Sequence, residues 1–267
     1  MRVLMTGAAG HIGSVLRERL AGRYDLLRLS DVVRMAPAGP GEEVVSAELS
    51  DISQVMTAMD GIDAVIHLGG IPGEDTWENI LRSNIEGTYN VFEAARLNDA
   101  RRIVFASSNH AVGFYRRDQV VDHLVAQRPD TRYGLSKAFG EDLASLYVDK
   151  HRFQVMCMRI GSFQAEPKDA RQLATWMSYG DMTRLVATGL AAPDMGFAVV
   201  YGISRNTRAW WDNAHAYRLG YDPQDNAEDH ADRLLAVEPP EAGGDVALAL
   251  QGGIFPEMEF DGDLDAL

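Results

Sequence analysis

The chain is poor in cysteine, in cations and in long apolar runs, and each shortage removes a class of protein. Its single cysteine, Cys157, sits in the apolar run Val155-Met-Cys-Met158. It can form no internal disulfide, reads as a buried strand thiol and points to a reducing compartment. Lysine and arginine number 25 against 39 aspartates and glutamates, a formal net charge of −14. Such a surface repels phosphate backbones and anionic lipid, so neither nucleic acid nor a membrane is expected as a partner. No apolar run approaches the ~20 residues that cross a bilayer, and the expectation is a soluble cytoplasmic protein. Neither His-Glu-x-x-His nor paired Cys-x-x-Cys spacing occurs, so no metal is expected.

With 46% hydrophobic and 24% charged residues in 267, the chain can bury a large core and is not disordered. Short apolar runs alternate with helical patterns from the start. Strands are expected at 2–6, 26–30, 43–47, 64–67, 103–107 and 154–160, and helices at 12–21, 53–59, 78–97 and 133–149. This alternation predicts an α/β protein, a Rossmann-type doubly wound parallel sheet with a small C-terminal substrate-capping region. Residues 1–236 are read as one NAD-binding domain with capping elements mainly from 161–236, where strand signals weaken and Trp176, Trp210 and Trp211 appear. Residues 237–267, rich in acid, proline and glycine, read either as a tail or as an arm that packs on a neighbouring subunit through Ile254, Phe255, Met258 and Phe260.

Gly7-Ala-Ala-Gly10-His11-Ile12-Gly13 follows the first strand and opens a helix. Three glycines in this setting let the chain turn tightly, approach a pyrophosphate and pack the helix on the sheet, with the backbone of His11 and Ile12 at the phosphate end. Asp31 ends strand two, 18 residues after Gly13. A carboxylate there accepts ribose hydroxyls and repels a 2′-phosphate, which favours NAD over NADP despite Arg34 nearby. Asp51-Ile52 after strand three is placed either to meet the adenine or to cap a helix. Leu68-Gly69-Gly70 after strand four offers either close backbone approach to a ribose or ordinary turn chemistry. Asn84 either binds water and carbonyls near the site or faces solvent.

Tyr133-Gly-Leu-Ser-Lys137 lies about 120 residues beyond the glycine turn, and Ser108 precedes Tyr133 by 25 residues. Tyrosine and lysine four apart share one helix face, so the ammonium is expected to favour the phenolate. Ser107-Ser108-Asn109-His110 ends strand five as a polar cluster after an apolar strand. With Tyr133 and Lys137 this arrangement resembles the extended short-chain dehydrogenase/reductase family, over nearly the whole chain to about residue 235. Val112-Gly-Phe-Tyr115, Arg159-Ile-Gly-Ser162, Glu166-Pro167, Arg171 and Trp210-Trp-Asp-Asn213 extend the likeness to that family's uronate dehydrogenases.

The resemblance implies NAD-dependent oxidation of a small-molecule uronic acid, D-glucuronate or D-galacturonate, at the anomeric carbon to the aldaro-lactone. It makes Tyr133 the base, has Ser108 hydrogen-bond the reacting oxygen and has Lys137 hold the nicotinamide ribose. Asn109 and His110 can fix sugar hydroxyls, although a histidine at a strand end is often only a structural hydrogen-bonder. Arg171 with Ser162 can clamp a carboxylate; the alternative for Arg171 is a surface ion pair. A homo-oligomer is expected. Pro72 departs from the pattern, since relatives carry a substrate-contacting serine after His67-Leu-Gly-Gly-Ile71. Competing readings are a sugar-nucleotide epimerase or dehydratase and a non-catalytic dinucleotide-sensing regulator.

Overall fold

The computed structural model describes residues 1–236 and 241–267. Nine strands form among the described residues: β1 (Arg2–Thr6), β2 (Leu26–Ser30), β3 (Glu42–Val45), β4 (Ala64–His67), β5 (Arg102–Ser108), β6 (Gln154–Ile160), β7 (Ser162–Phe163), β8 (Trp176–Met177) and β9 (Phe197–Gly202). Seven of them make one doubly wound parallel sheet in the order β3-β2-β1-β4-β5-β6-β9, and β7 pairs with β8 apart from it. The main helices are α1 (His11–Leu20), α2 (Ile52–Met59), α3 (Trp77–Ile80), α4 (Gly87–Leu97), α5 (Arg132–His151), α6 (Gln172–Thr175) and α7 (Tyr179–Ala191). The six expected strands are all present. Their ends move by a residue or two at β3 and β5, and β9 adds a seventh strand in a stretch expected to carry only weak strand signals.

Packing divides the chain into two compact units. The first holds Met1–Ala106, Phe139–Cys157 and Val186–Ala198. Here β1 pairs in parallel with both β2 and β4, so the strand order reverses between them and a crevice opens at their carboxyl ends. Buried His67 ties this point together: Nδ1 lies 2.7 Å from Thr6 Oγ1 and Nε2 3.2 Å from Thr88 Oγ1. Phe92 packs edge-on against Phe105 and Tyr147 and stacks on Phe153, an aromatic cluster at the heart of the unit.

One expected element is broken. The helix predicted as continuous over 78–97 contains a π-helical segment, Leu81–Glu86, between α3 and α4. The inserted residue turns buried Asn84 inward, where Oδ1 accepts from Ile71 N (2.7 Å) and Nδ2 donates to Ile71 O (3.1 Å). The solvent-facing alternative for Asn84 is thereby overturned. A helical period cannot signal a one-residue widening, and two bonds to one loop residue repay it.

The second unit holds Ser107–Ala138, Met158–Leu185 and the described part of Val199–Leu267. Trp211 stacks on Tyr201 with centroids 5.1 Å apart and donates from Nε1 to Gln251 Oε1 (2.7 Å). Residues 241–267 thus pack on their own chain: Gln251 N donates to Tyr115 O, and Arg117 ion-pairs Glu241 and donates to the carbonyls of Ala247 and Leu250. No helix among the described residues is long and apolar enough to cross a membrane.

The fit between α5 and β5 is tight enough to test. A methyl group at Gly140 would lie 2.3 Å from Phe105 Cζ. Gly140→Ala should therefore cost about 1–3 kcal/mol through overpacking and lower the thermal midpoint by several degrees. An unchanged midpoint would show that the aromatic cluster is loose.

Candidate active site

The dinucleotide elements fall in the first unit. Gly7 has φ +68°, and a Cβ on it would lie 2.7 Å from Gly69 N and from Leu68 C. A Cβ on Gly13 would lie 2.4 Å from Gly7 O. Both positions need glycine: the first for its left-handed backbone, the second because helix and turn touch. Gly10 is the N-cap of α1, and no side chain caps this ten-residue helix. The N–H groups of His11 and Ile12 therefore present the positive end of the helix dipole. These features fit a pyrophosphate.

Asp31 reaches the same turn. Ala9 N donates to its Oδ2 (2.9 Å) and Val33 N to its Oδ1 (3.0 Å), which fixes the carboxylate beside the glycine loop with lone pairs left for ribose hydroxyls. Leu68 N donates to Thr6 O and Gly69 N to Thr6 Oγ1, each at 3.2 Å. Gly70 has φ +132°, and a side chain on it would meet Asn84. Asp51 takes up the capping role: its carboxylate accepts from Ser53 N, Ser53 Oγ, Gln54 N and Gln54 Nε2. These bonds hold it below the usual carboxylate range, the Ser53 hydroxyl contributing most. Ile52 follows, exposed, at the start of α2.

The chemical residues gather in the second unit. Ser108 ends β5, and its Oγ accepts from His110 N (3.2 Å) to start the 3-10 turn Asn109–Val112. Tyr133 lies in the first turn of α5, buried and hydrogen-bonded to Ser108, with Lys137 Nζ 5.4 Å from the centre of its ring. The expected activation of the phenol is not what burial produces. Desolvation pushes Tyr133 up to about 12, opposed by the Ser108 hydrogen bond and reinforced by the Asp130 charge. Lys137, also buried, is pushed down to about 8 by the same desolvation. The four-residue spacing signals the neighbouring charge but not the cost of removing both groups from water.

Arg171 precedes α6 and gathers three elements. Its Nη1 donates to Ser162 Oγ (3.3 Å) and its Nη2 to Gln251 O (2.7 Å). Asn109, with its amide oriented to donate to Ile160 O (2.9 Å), accepts from Arg171 Nη2 (3.2 Å). Asn109, assigned to sugar hydroxyls from sequence, is thus engaged with the guanidinium. Ser162 is placed by Gly161, where a Cβ would lie 2.1 Å from Thr175 O, and its hydroxyl also meets Thr175 Oγ1 (2.9 Å). Every hydrogen-bond partner of Arg171 is a neutral oxygen, and its buried Nε has no acceptor. Burial first, and then the nearby Arg117 charge, push Arg171 down to about 10. The surface ion pair considered for it is not formed among the described residues.

His110 Nδ1 lies 2.7 Å from Asp130 Oδ2, and its ring stacks on Phe255 at 3.9 Å and meets Tyr133 edge-on at 5.8 Å. Sequence reasoning passed over Asp130 and Gln251 and took Phe255 only as a packing residue of an arm. The turn signal Pro129-Asp130-Thr131 before Tyr133 was the one trace of Asp130: Thr131 Oγ1 accepts from Gly134 N (3.0 Å) as α5 begins. No cluster of three or more His, Cys, Asp or Glu that could hold a metal occurs among the described residues.

The profile of the NAD dependent epimerase/dehydratase family matches residues 3–183. A uronate dehydrogenase of Pseudomonas putida is 48% identical over 255 residues, 95% of this chain and 95% of that protein. A mutant of the Agrobacterium tumefaciens uronate dehydrogenase, crystallised in complex with NAD, superposes with a TM-score of 0.92 at 44% identity, covering 96% of this chain and 97% of that one. A glucuronic acid dehydrogenase of Chromohalobacter salexigens superposes with a TM-score of 0.91 at 45% identity, covering 100% and 99%.

The reading of Asp31 is open to a direct check. Asp31→Ala removes charge-assisted acceptors worth ~1.5–3 kcal/mol. It should weaken NAD by ~10–100-fold and narrow the gap to NADP, compared through kcat/KM for each cofactor. A parent protein that already prefers NADP would contradict the assignment.

Proposed function

The chain belongs to the NAD dependent epimerase/dehydratase family, and from that premise we propose that it oxidises free D-glucuronate and D-galacturonate at the anomeric carbon to the aldaro-lactone. It is an NAD-dependent oxidoreductase. The observation that carries the choice of substrate is Arg171, a buried guanidinium whose hydrogen-bond partners among the described residues are neutral oxygens and whose buried Nε has no acceptor, with the carboxylates of Glu241, Asp169 and Asp130 acting on it only through their charge. Such a group is stabilised by an anionic ligand, and a sugar carboxylate supplies one with matching bidentate geometry. A sugar nucleotide's diphosphate could also meet an arginine, and the uronate reading is favoured over it by the 45–48% identity to uronate dehydrogenases. A non-catalytic regulator has no need of the complete Ser108, Tyr133, Lys137 set.

In the reaction, the C1–H bond leaves as hydride and the C1 hydroxyl gives up its proton, so C1 becomes the lactone carbonyl. NAD, when bound, supplies the hydride acceptor. Gly7, Gly10, His11, Ile12, Gly13 and Asp31 are the residues for its pyrophosphate and adenosine ribose, with Leu68, Gly69 and Gly70 at the adjoining strand end. Lys137 is assigned to its nicotinamide ribose. Tyr133 takes the proton from the anomeric hydroxyl, and Ser108 hydrogen-bonds the same oxygen. Burial pushes the phenol up to about 12, and the Ser108 hydrogen bond opposes that rise and favours the phenolate that accepts the proton.

We take residues 1–236 as a single functional domain in which 161–236 supply most of the substrate cap. Cytoplasmic residence, supported by the lone buried Cys157, belongs to the same proposal. So does a homo-oligomer, supported by the exposed Ile254 and Met258.

Tyr133→Phe keeps the ring contacts and removes the base. It should lower kcat by ~100-fold or more and leave NAD binding nearly intact. Turnover within tenfold of the parent would reject the role. Arg171→Ala should depress kcat/KM for both uronates by about 30-fold or more, since breaking a desolvated charge pair costs roughly 2–5 kcal/mol. Glucose and galactose, poor substrates for the parent, should change little. Equal harm to acidic and neutral sugars would make Arg171 structural.

A further inference from the structure

Asp130 is among the most enclosed carboxylates of the second unit, with a side-chain exposure of 0%. Three glycines leave room for it. A Cβ on Gly113 would lie 1.8 Å from Asp130 Oδ2, one on Gly252 2.1 Å from the same oxygen, and one on Gly134 3.0 Å from Oδ1. These glycines come from the loop after the 3-10 turn, from the C-terminal segment and from the first turn of α5. Gly252 N donates to Gly113 O (2.9 Å), which closes the shell. Thr131 Oγ1 donates to Oδ1 (3.0 Å), and Oδ2 faces His110 Nδ1 at 2.7 Å. Burying a carboxylate is costly unless its oxygens are satisfied, so a shell of this kind points to a specific task for the charge.

The task follows from hydrogen-bond valence. An ionised carboxylate only accepts, so the His110 nitrogen facing it must carry a proton. In a neutral imidazole the other nitrogen is then an acceptor. The ring is otherwise held by Phe255, stacked 3.9 Å away, and by the edge of Tyr133. Its Nε2 is thus the one nitrogen of His110 left for another partner.

We propose that Asp130 is a positioning residue: it accepts the Nδ1 proton of His110 and fixes the ring as a neutral acceptor that reads one sugar hydroxyl as a donor. The function of Nε2 rests on the uronate reading given above; the tautomer does not. The consequence is selection by hydrogen-bond polarity. A histidine so fixed accepts from a hydroxyl and offers nothing to a carbonyl or ether oxygen at the same place.

Two measurements test this. The first is a long-range ¹H–¹⁵N correlation spectrum of the full-length labelled protein with NAD at pH 8, His110 being identified by the loss of its signals in His110→Gln. The expected result is the Nδ1–H tautomer in the parent and its loss in Asp130→Asn. An Nε2–H tautomer or an imidazolium in the parent would overturn the proposal, and this result needs no variant of Asp130 to fold. The second is the kinetic split in Asp130→Asn. KM for the better uronate should rise by about tenfold, the size of one hydrogen bond to a charged or polarised group, with NAD affinity unchanged and no fall in kcat, since removing the Asp130 charge eases the phenolate of Tyr133. KM within twofold of the parent despite an altered tautomer would also overturn it. If the parent oxidises neither uronate, the uronate reading fails while the spectrum still decides the tautomer.

Discussion

Arg171 is held by three neutral oxygens: the Ser162 hydroxyl, the Asn109 amide and the Gln251 carbonyl. Each comes from a different stretch of the second unit, and each is itself fastened. Ser162 is placed by the close approach of Gly161 to Thr175, Asn109 follows the end of β5, and Gln251 is fully engaged with Trp211, Arg116 and Gln119. A guanidinium in this setting keeps its charge although burial and the Arg117 charge push it down to about 10, with the Glu241, Asp169 and Asp130 charges acting the other way. On the proposed function, the charge of Arg171 is what selects a sugar carboxylate.

Burial sets the terms for the proton chemistry too. The same exclusion of water pushes Tyr133 up to about 12 and Lys137 down to about 8, which opposes the simple picture of an ammonium activating a phenol. Two local groups bear on the phenol: the Ser108 hydrogen bond opposes burial and favours the phenolate, and the Asp130 charge adds to burial and favours the neutral phenol. A buried carboxylate beside the base thus carries a cost, which makes its separate engagement with His110 and its three-glycine shell the more telling.

The parallel sheet was legible because β1, β2 and β4 are short, mainly apolar runs alternating with helical patterns, a pattern with few alternatives. The dinucleotide turn was legible for the same reason, since strand, glycines and Asp31 sit at fixed offsets. The π-helical segment around Asn84 was not, because a one-residue widening leaves the helical period almost intact. Strand β9 escaped because its neighbours in sequence are loops and helix, with no motif to frame it. In the chemical site, Ser108, Tyr133, Lys137 and Arg171 announced themselves by spacing and likeness. Asp130, Gln251 and Phe255 act through contacts between residues far apart in the chain, up to 145 positions for His110 and Phe255, and no local pattern carries such a contact.

The central claim is that a hydride leaves the anomeric carbon of a free uronic acid for NAD. The most direct measurement uses D-glucuronate deuterated at C1, with NAD in excess, followed by NMR from the first turnovers. The account predicts deuterium in the reduced nicotinamide, and the aldaro-lactone as the first product, ahead of any open-chain acid. Deuterium released to water, or retained at C1 with no reduced cofactor formed, would contradict it.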